Sequence, residues 1–577
     1  MYLFIEKQIF MKNKQELKEY FDDTELIKIL CKKRVIAAKK GHDVHFLYNI
    51  SKKAKSPHTI IKKEIFSFFP PRSQWTRLVK KERELLQFNT LKINSCQLEK
   101  TVWQEIKKCK RQGLEHPLWL KNLLNFTEGI RNLAFDESRN YELPKPNIIP
   151  ELKSGITYRP ISIFELIDNI LICQISKYLS NCFDPLFSDS SYAFRTGIQK
   201  GKTFNHHKAV DDIIEFKKTI GKPLYVAECD IKKFFDCVNH QVITTEFQLI
   251  TEEAKQKFNI EIDKRAIHFF QSYLKAYSFN ENIIKHEAEI LKKHKISNGN
   301  IPWVNEAELL EVGSKPATER IGVPQGGAIS CLIANIMLNK TDRILNDNSD
   351  ENTFYCRFCD DMVLMHTNRA KCEALLKRYQ TSLKELKLIC HEAKGFAEYG
   401  KEFWDNDFKS KLPYRWAINY KTNAYSKKNV PWLSFVGYQI RYDSTVRIRK
   451  KSIKEELLKQ VSETDKVIKV VRKGIRSIRS SRSVRYRLQE RLIAMSVGKV
   501  FYGSTISSMC WTAGFKVLTK NPIVRNQIRK LDRNREKQIK RLERNLGIIE
   551  TPIGKYRNSG DNPLKVYGYN YSYNKQF

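Results

Sequence analysis

The sequence lacks several features that mark well-known classes of protein. No run approaches the roughly 20 consecutive apolar residues that a membrane-spanning helix needs, so we expect no membrane insertion. The stretch Met1–Lys7 is too short and too charged for an export signal. The 13 cysteines show no regular framework, which favours free thiols in a reducing compartment. Together these absences predict a cytoplasmic protein.

Histidine and cysteine are scarce towards the carboxyl end. No histidine follows His391, and Cys510 is the only cysteine after Cys390. This part of the chain therefore cannot hold an HNH nuclease or a zinc knuckle, because both need such side chains. The pair Cys356-x-x-Cys359 has no second pair at zinc-site spacing, so it does not predict a zinc site.

Acidic residues are outnumbered by basic ones. The chain has 103 Lys and Arg against 64 Asp and Glu, a net charge of +39. Residues 446–577 alone hold 32 basic and 10 acidic residues, a difference of 22. Such a localised field attracts a polyanion, and nucleic acid is the usual one. A length of 577 residues is too great for one core, and a hydrophobic fraction of 41% fits a globular protein.

An adjacent pair of aspartates lies between two apolar runs in residues 354–365. The pattern predicts a β-hairpin with Asp360 and Asp361 at its turn. Adjacent carboxylates repel each other, so a fold gains little by presenting them together unless a cation binds there; an ordinary acidic turn is the alternative. A second apolar run, residues 224–229, places Asp230 at the end of a predicted strand. Hard oxygen ligands from separate strands suit Mg²⁺.

These two stretches resemble the catalytic motifs of the reverse transcriptases. Asp230 falls on the first motif of the family, and Phe358-Cys-Asp360-Asp361 falls on the second, which usually reads Tyr-x-Asp-Asp. The resemblance implies that the three aspartates bind two Mg²⁺ ions, with Mn²⁺ as a substitute. It also implies that the backbone carbonyl of Ile231 is a ligand. Two such ions stabilise both the attacking and the leaving oxygens of phosphoryl transfer.

The resemblance also assigns residues that bind the incoming nucleotide. Residues 147–161 are similar to the fingers hairpin of the family, in which Lys153 and Arg159 would neutralise the triphosphate. Phe235 stands where the family places a steric gate against the 2′-hydroxyl of ribonucleotides, and Gln325 where it contacts nucleotide or template. The alternatives are surface cations for the first two residues and a core aromatic for Phe235.

Further motif residues are expected to contact template or primer. Arg195 lies in a segment that is similar to one beside the nucleotide in the family, and a structural ion pair is the alternative. Gly326 belongs to the string Gly322–Ser330, in which paired glycines allow a close backbone approach. Ser330 is predicted to cap the helix that follows, which runs to about Ile344.

Two later positions complete the resemblance. Lys394 matches a lysine that is thought to protonate the pyrophosphate leaving group, with a plain surface lysine as the alternative. Gly437 lies in Leu433–Tyr438, which resembles the hairpin that holds the 3′ end of the primer. The apolar residues of this stretch are equally compatible with ordinary core.

The motif order implies an α+β fold of the right-hand polymerase type, with fingers, a palm built on an antiparallel sheet and a helical thumb. The predicted domains are an N-terminal helical extension (1–140), fingers with the start of the palm (141–229), palm (230–445, with a helical insertion at about 245–320), thumb (446–520) and a basic C-terminal extension (521–577). Ile161–Phe183 is predicted to be a core helix. The tyrosine-rich residues 566–573 are expected to be flexible and able to stack on bases.

The function implied is RNA-directed DNA polymerisation, in which a 3′-hydroxyl attacks the α-phosphate of a dNTP. The implied partners are an RNA template, expected to be a structured non-coding RNA, together with dNTPs and the DNA product. The resemblance is strongest to bacterial enzymes related to those of group II introns, and among these to the kind that defends against phage.

Several alternatives stay open. One is a group II intron or retron enzyme, although the missing nuclease disfavours intron mobility with built-in DNA cleavage. Another is a polymerase that needs no template or that primes from a protein tyrosine. A third is an RNA-binding module with a degenerate polymerase fold, which the intact aspartates disfavour. The sequence also leaves open whether copies of the chain associate.

Overall fold

The computed structural model describes residues 16–51, 64–86, 89–136, 141–197, 203–396, 399–405, 408–417, 430–475, 481–497, 515 and 517–547. The tyrosine-rich stretch 566–573 and Cys510 lie outside these residues. Within them, no helix combines the length and the apolar character needed to cross a membrane.

The α-helices of the described residues are α1 (Asp23–Ile50), α2 (Lys80–Leu85), α3 (Thr90–Gln112), α4 (Leu118–Phe135), α5 (Leu166–Phe183), α6 (His206–Ile220), α7 (Phe234–Cys237), α8 (His240–Phe258), α9 (Lys264–Ala276), α10 (Phe279–Asn282), α11 (Glu287–Lys293), α12 (Glu306–Glu311), α13 (Ala328–Asp347), α14 (Arg369–Glu385), α15 (Lys401–Asp405), α16 (Lys450–Arg472), α17 (Ser481–Val497) and α18 (Pro522–Asn545). The strands are β1 (Asn147–Ser154), β2 (Thr157–Ile163), β3 (Leu224–Asp230), β4 (Thr353–Phe358), β5 (Asp361–His366), β6 (Ala393–Lys394), β7 (Ser410–Trp416), β8 (Leu433–Phe435), β9 (Tyr438–Ile440) and β10 (Val446–Ile448).

A five-stranded sheet with the order β4-β5-β3-β7-β6 lies at the centre. Its pairs are antiparallel except β6–β7, which is parallel. Successive side chains of a strand point to opposite faces, and both faces of this sheet are buried. In β3, Val226 packs in one apolar cluster and Cys229 in the other; in β5, Val363 and Leu364 are divided between the clusters in the same way. This burial explains the nearly continuous apolar runs before both aspartate stretches.

Helices cover one face of the sheet and extend the core. Helix α14 packs on β3, β5 and β7, and α13 packs between α14 and α5. The N-terminal helices share this core, since Leu26 and Leu30 of α1 are fully buried in the cluster that contains Leu179 and Leu338. Helix α1 begins where the Asp22 side chain accepts a hydrogen bond from the Glu25 amide at 2.8 Å, a normal N-cap.

Two smaller sheets flank the central one. Strands β1 and β2 form a two-stranded hairpin with a bulge between Leu152 and Ser154. Strands β8, β9 and β10 form the second sheet, in the order β10-β9-β8. Helices α16 and α18 pack lengthwise against each other, and α17 packs on both. Their apolar stripes, which include Val467, Ile468 and Leu542, meet the end of α1 at Phe46.

Two predicted element boundaries are wrong. The helix predicted from Ile161 begins at Leu166, because Ile161 pairs with Ile149 in the β1–β2 hairpin. Ser330 does not cap α13; Gly327 takes the N-cap position, and the Ser330 hydroxyl donates instead to the Pro324 carbonyl at 2.6 Å. A side chain at position 327 would collide with Tyr273, since a Cβ there would lie 1.9 Å from its hydroxyl oxygen.

Candidate active site

The sheet brings the three predicted metal-binding aspartates to one end. Asp230 is the last residue of β3 and Asp361 is the first residue of β5, and the two are direct partners in the antiparallel ladder. The predicted hairpin is present, and Asp360 follows Cys359 in its two-residue turn. Cys359 has a left-handed backbone conformation with φ of 60°, as tight turns of this kind require.

The electrostatics show that these carboxylates repel one another. Burial, and next the charge of Asp230, raises the pKa of Asp360 above its usual value. Burial, followed by the charges of Asp360 and Asp230, raises the pKa of Asp361 to about 7. The Asp361 side chain reaches solvent, although neighbouring protein removes much of the water around its carboxylate. A cation at this end of the sheet would relieve the repulsion.

A lysine contacts this acidic cluster. The Lys409 ammonium lies 2.5 Å from a carboxylate oxygen of Asp230. Burial lowers the pKa of Lys409, but the hydrogen bond to Asp230 and the charges of all three aspartates outweigh burial and raise the pKa overall. His391 lies beside it, with its Nε2 3.8 Å from the same oxygen and its amide donating to the Asp230 carbonyl at 3.0 Å. Sequence analysis missed both roles, because a lysine before a strand and a histidine after a helix carry no local signal.

The donor chemistry of the cluster fits a divalent cation, since three carboxylates supply the hard oxygens that Mg²⁺ prefers. In the described part of the chain, no three His, Cys, Asp or Glu side chains are already arranged around a common point for a metal. Lys409, not a second carboxylate, contacts Asp230. Metal binding therefore requires Asp230 to exchange an ammonium for the metal. Ile231 is buried and is paired with Cys390 by hydrogen bonds that its two neighbours make.

The predicted triphosphate-binding side chains form a cationic group near the carboxylates. Lys153 and Arg159 are exposed on the β1–β2 hairpin, and neither makes an ion pair with another described residue. The pKa of Lys153 is lowered by burial and then by the charges of Arg159, Lys233, Lys409 and Lys451. Four other cations, Arg159 and one from each of three further segments, thus lie within electrostatic reach of Lys153, and the sequence predicted one of them, Arg159.

The predicted steric gate and glycine loop contact each other. Phe235 is half-buried and packs edge-to-face on Phe234 at 5.2 Å between ring centroids. The Val323 amide donates to the Phe235 carbonyl at 2.8 Å, and the Gln325 side-chain amide donates to Asp236 at 2.6 Å. Asp236 is 1% exposed, and burial raises its pKa to about 6.

The glycine loop also touches the fingers hairpin. The Ser162 amide of β2 donates to the Gln325 carbonyl at 3.3 Å. Gly326 follows with a left-handed φ of 92° and is exposed, so the loop presents backbone on its open side.

Two predicted site residues have other partners. The Arg195 side chain is fully enclosed, with its Nε 2.7 Å from Asp184, so the contact with template or primer predicted for it is not available in this structure. The Lys394 ammonium lies 2.7 Å from Glu392. Lys394 is in β6, two strands away from Asp230 in the sheet, because β7 lies between them. Lys409 is the lysine nearer to the aspartates.

The hairpin predicted to hold the primer end is present. Strands β8 and β9 pair around Gly437, which has a left-handed φ of 87°. Phe435 and Val436 of this hairpin line a cavity together with Asp230, Asp361 and Lys409. The β8–β9 hairpin, Asp230 and Asp361 therefore face the same cavity.

A buried ion pair supports the β4–β5 turn that carries Asp360. The Arg357 guanidinium is fully buried and donates to both carboxylate oxygens of Asp342, at 2.8 and 2.6 Å. It also donates to the Cys359 carbonyl at 2.9 Å, inside the turn that carries Asp360. The Tyr355 hydroxyl donates to Asp342 at 2.7 Å. Sequence analysis did not identify this support, because Asp342 lies on a helix far from the motif.

Comparisons with known proteins were consistent with this arrangement. The reverse transcriptase (RNA-dependent DNA polymerase) family matches residues 143–436. None of the curated proteins matches the sequence. A solved structure of apo telomerase from Candida tropicalis is 11% identical, covers 91% of this chain and 82% of that chain, and has a TM-score of 0.34.

Two further telomerase structures show the same low level of likeness. Apo telomerase from Candida tropicalis truncated from its C-terminal domain is 13% identical, with 53% of this chain and 55% of that chain covered and a TM-score of 0.32. Telomerase from Candida albicans in complex with a TWJ fragment of telomeric RNA is 10% identical, with 76% and 70% covered and a TM-score of 0.31. Scores this low add nothing to the family match. That match spans half of the chain and includes all three aspartates, and it shows that the chain belongs to the reverse transcriptase family of RNA-directed DNA polymerases.

Proposed function

We propose that this protein copies an RNA template into DNA, with Asp230, Asp360 and Asp361 as its metal-binding residues. The observation that carries the proposal is the convergence of these carboxylates at one end of the central sheet, opposite a group of cations. Carboxylates suit Mg²⁺, and cations suit a triphosphate. A site with both on facing elements is what transfer of a nucleotide to a 3′-hydroxyl requires.

The chain's own residues divide the work of the reaction. Asp230 and Asp360 would hold the metal ions, and the Ile231 carbonyl and Asp361 would add ligands. Arg159 and Lys153 neutralise and orient the triphosphate. When bound between the carboxylates, Mg²⁺ would lower the pKa of the 3′-hydroxyl and offset charge on the phosphates. Lys394 and Lys409 are the candidates for donating a proton to the departing pyrophosphate.

Three further side chains select and position the nucleotide in this proposal. Phe235 lies beside the first aspartate segment, where its ring would clash with a 2′-hydroxyl. Gln325 is held by Asp236 through one end of its amide, which leaves the carbonyl end for the nucleotide or the template. Gly326 and Gly437 keep backbone close to the template and the primer end.

We propose that the C-terminal helices form a thumb that binds the RNA–DNA duplex. Helices α16, α17 and α18 pack around an apolar interior and carry much of the +22 charge of residues 446–577 on their outer faces. Phosphate contacts by such a surface are independent of base sequence and weaken as salt rises. The proposed division is fingers before Asp230, palm to residue 445 and thumb beyond it, with residues 1–140 as an N-terminal extension.

We further propose that the template is a structured non-coding RNA and that the protein acts in bacterial antiphage defence. The support is the resemblance of the motifs to those of defence-associated enzymes, together with the absence of histidine after His391. Retron or intron enzymes, and polymerases without a template or with a protein primer, are the competing assignments. The product distinguishes them.

The experiment is to purify the full chain, sequence the RNA that co-purifies, and supply Mg²⁺ with dNTPs. DNA complementary to that RNA is expected. DNA unrelated to any RNA present would favour a polymerase that needs no template, and DNA attached covalently to the protein would favour a tyrosine primer. RNA binding without DNA synthesis would reduce the protein to an RNA-binding module and overturn the proposal.

A further inference from the structure

We propose that residues 287–303, here called the brace, position the nucleotide-binding hairpin β1–β2 relative to the segment that follows Asp230. The brace consists of α11 and the loop after it, and it belongs to the helical insertion whose task the sequence does not reveal. The inference rests on the proposed function, because the hairpin carries Lys153 and Arg159.

Backbone hydrogen bonds join the brace to β2 next to Arg159. The Tyr158 amide donates to the Asn300 carbonyl at 2.8 Å, and the Asn300 amide donates to the Ile156 carbonyl at 2.9 Å. Thr157 and Asn300 thereby form a parallel bridge. The brace is thus an added partner for an otherwise two-stranded hairpin, and a two-stranded hairpin alone is only marginally stable.

Side chains join the brace to β1 as well. The His294 ring bonds to the Ile148 carbonyl at 3.0 Å, and the Lys293 ammonium donates to the Asn147 side chain at 3.3 Å. Apolar packing reinforces these contacts, since Ile148 and Tyr158 pack against a buried cluster. That cluster consists of Tyr277, Phe279, Ile283, Leu291 and Ile301. The same segment therefore holds β1 at the open end of the hairpin and β2 beside its turn.

The other end of the brace contacts the short helix α7, which carries Phe235. The Trp303 indole donates to the Asp236 carbonyl at 3.0 Å. Glu287 ties the loop back to α11 by accepting a hydrogen bond from the Ile301 amide at 2.7 Å. The brace thus bonds both to the β1–β2 hairpin, which would bind the triphosphate, and to helix α7, whose Phe235 would contact the sugar. A connection of this kind fixes the distance between them.

Gly299 makes the close approach of the brace to β2 possible. A Cβ at position 299 would lie 2.6 Å from the Ile296 side chain and 2.8 Å from the Tyr158 ring. The Gly299 backbone is not in the left-handed region, so alanine causes no backbone strain there. Gly299→Ala therefore tests the packing without backbone strain: the Ile296 and Tyr158 side chains must give way, and Arg159 is the neighbour of Tyr158.

The first test compares steady-state kinetics of Gly299→Ala and Gly129→Ala. A Cβ at Gly129, in α4, meets nothing within 4 Å, so that variant is the control. Gly299→Ala is expected to raise the KM for dNTP by about tenfold, which corresponds to the loss of one hydrogen bond. Its kcat and its affinity for RNA should stay within about twofold. A KM equal to that of Gly129→Ala would overturn the inference.

A double variant tests whether the brace acts through Arg159. In an Arg159→Ala background, Gly299→Ala should change the KM by less than about twofold, because coupled residues are not additive. Full multiplication of the two effects would contradict a positioning role. If Gly299→Ala fails to fold, Trp303→Phe is the second variant, since it removes the hydrogen bond to the Asp236 carbonyl and keeps an aromatic ring beside Phe279. It should raise the KM in the same direction.

Hydrogen exchange of the nucleotide-free protein separates this inference from the proposed function. Gly299→Ala should speed exchange of the Tyr158 and Asn300 amides by roughly tenfold and leave amides of β5 unchanged. If the wild-type protein makes no DNA but Gly299→Ala still speeds exchange at these amides, the proposed function is wrong and the structural role of the brace stands. Unchanged exchange at both amides would sink the brace whatever the activity.

Discussion

The Arg357 guanidinium and the Asp342 carboxylate form a fully buried, bidentate ion pair next to the β4–β5 turn that carries Asp360. The same guanidinium holds the Cys359 carbonyl. The pair links the helix that follows the glycine loop to the hairpin that carries Asp360 and Asp361. The geometry of the aspartates therefore depends on a charge that is hidden from solvent and from substrate.

Breaking this pair should destabilise the protein. Asp342→Ala leaves a buried guanidinium without its counter-ion, which costs about 3–5 kcal/mol. Thermal and denaturant unfolding measure the loss. Glu385→Ala is the control, because both side chains of the Glu385 ion pair with Lys340 are exposed and such pairs contribute about 0–1 kcal/mol. Equal effects of the two variants would contradict the structural role of Asp342.

Removing the charge of Asp361 should stabilise the metal-free protein at neutral pH. The pKa of Asp361 is raised above its unfolded value of 3.8 to about 7, so the folded state binds this proton more tightly. The stabilisation of the folded state by this tighter proton binding is fully present below pH 4 and is lost as the pH rises to about 7. Asp361→Asn should therefore gain on the order of 1 kcal/mol over wild type at pH 8 in chelator, since water screens the exposed carboxylate.

The measurement is the difference in unfolding free energy between Asp361→Asn and wild type at pH 4 and pH 8. The difference should grow with pH in chelator and shrink when Mg²⁺ is added. A difference that is independent of pH would show that Asp361 is not repelled by its neighbours.

Phe235 and its neighbour Phe234 should behave differently when truncated. Phe235→Ala should reduce discrimination against ribonucleotides by roughly ten- to 200-fold, the range for a steric contact in a pocket. Phe234 is 2% exposed and packs in the core, so Phe234→Ala should cost about 3–5 kcal/mol of stability instead. Competition between dNTP and NTP in single-nucleotide extension measures the first effect. Unchanged discrimination in Phe235→Ala would remove its role as a gate.

Arg159 should bind the nucleotide and not the duplex. Arg159→Ala should raise the KM for dNTP by roughly ten- to 100-fold, since a hydrogen bond to a charged group contributes about 1.5–3 kcal/mol. Lys377→Ala, on the exposed side of α14, is the control with the same change of charge. Filter binding of RNA should be equal for both variants. A KM near that of the control would place Arg159 outside the site.

Much of the fold was predictable because local patterns agreed with the tertiary structure. The hairpin over residues 354–365 formed, although Cys359 and Asp360, and not Asp360 and Asp361, make its turn, and the predicted strand ends at Asp230. The predicted boundary of a helix was wrong where tertiary contacts determine where the helix begins. Ile161 is apolar enough for a core helix, but its pairing with Ile149 makes it a strand residue.

The site was predictable where a motif concentrated chemistry in a short stretch, and elsewhere it was not. Asp360 and Asp361 stand out because adjacent carboxylates are costly. Lys409 and Lys451 are two among many basic residues, and only folding brings them near Lys153. Arg195 shows the opposite case. Its motif position predicted a contact with template or primer, but its side chain is fully buried and forms an ion pair with Asp184.

The most direct test of the central claim is DNA synthesis by Asp360→Ala, measured beside its RNA binding. In the proposed mechanism the Asp360 carboxylate serves only to bind metal ions, so the variant should lose dNTP incorporation by at least roughly 100- to 1,000-fold, as for loss of one preorganised electrostatic group. RNA affinity at fixed salt should stay within about twofold of wild type, because the basic helices supply it. DNA synthesis by Asp360→Ala at the wild-type rate would contradict the account.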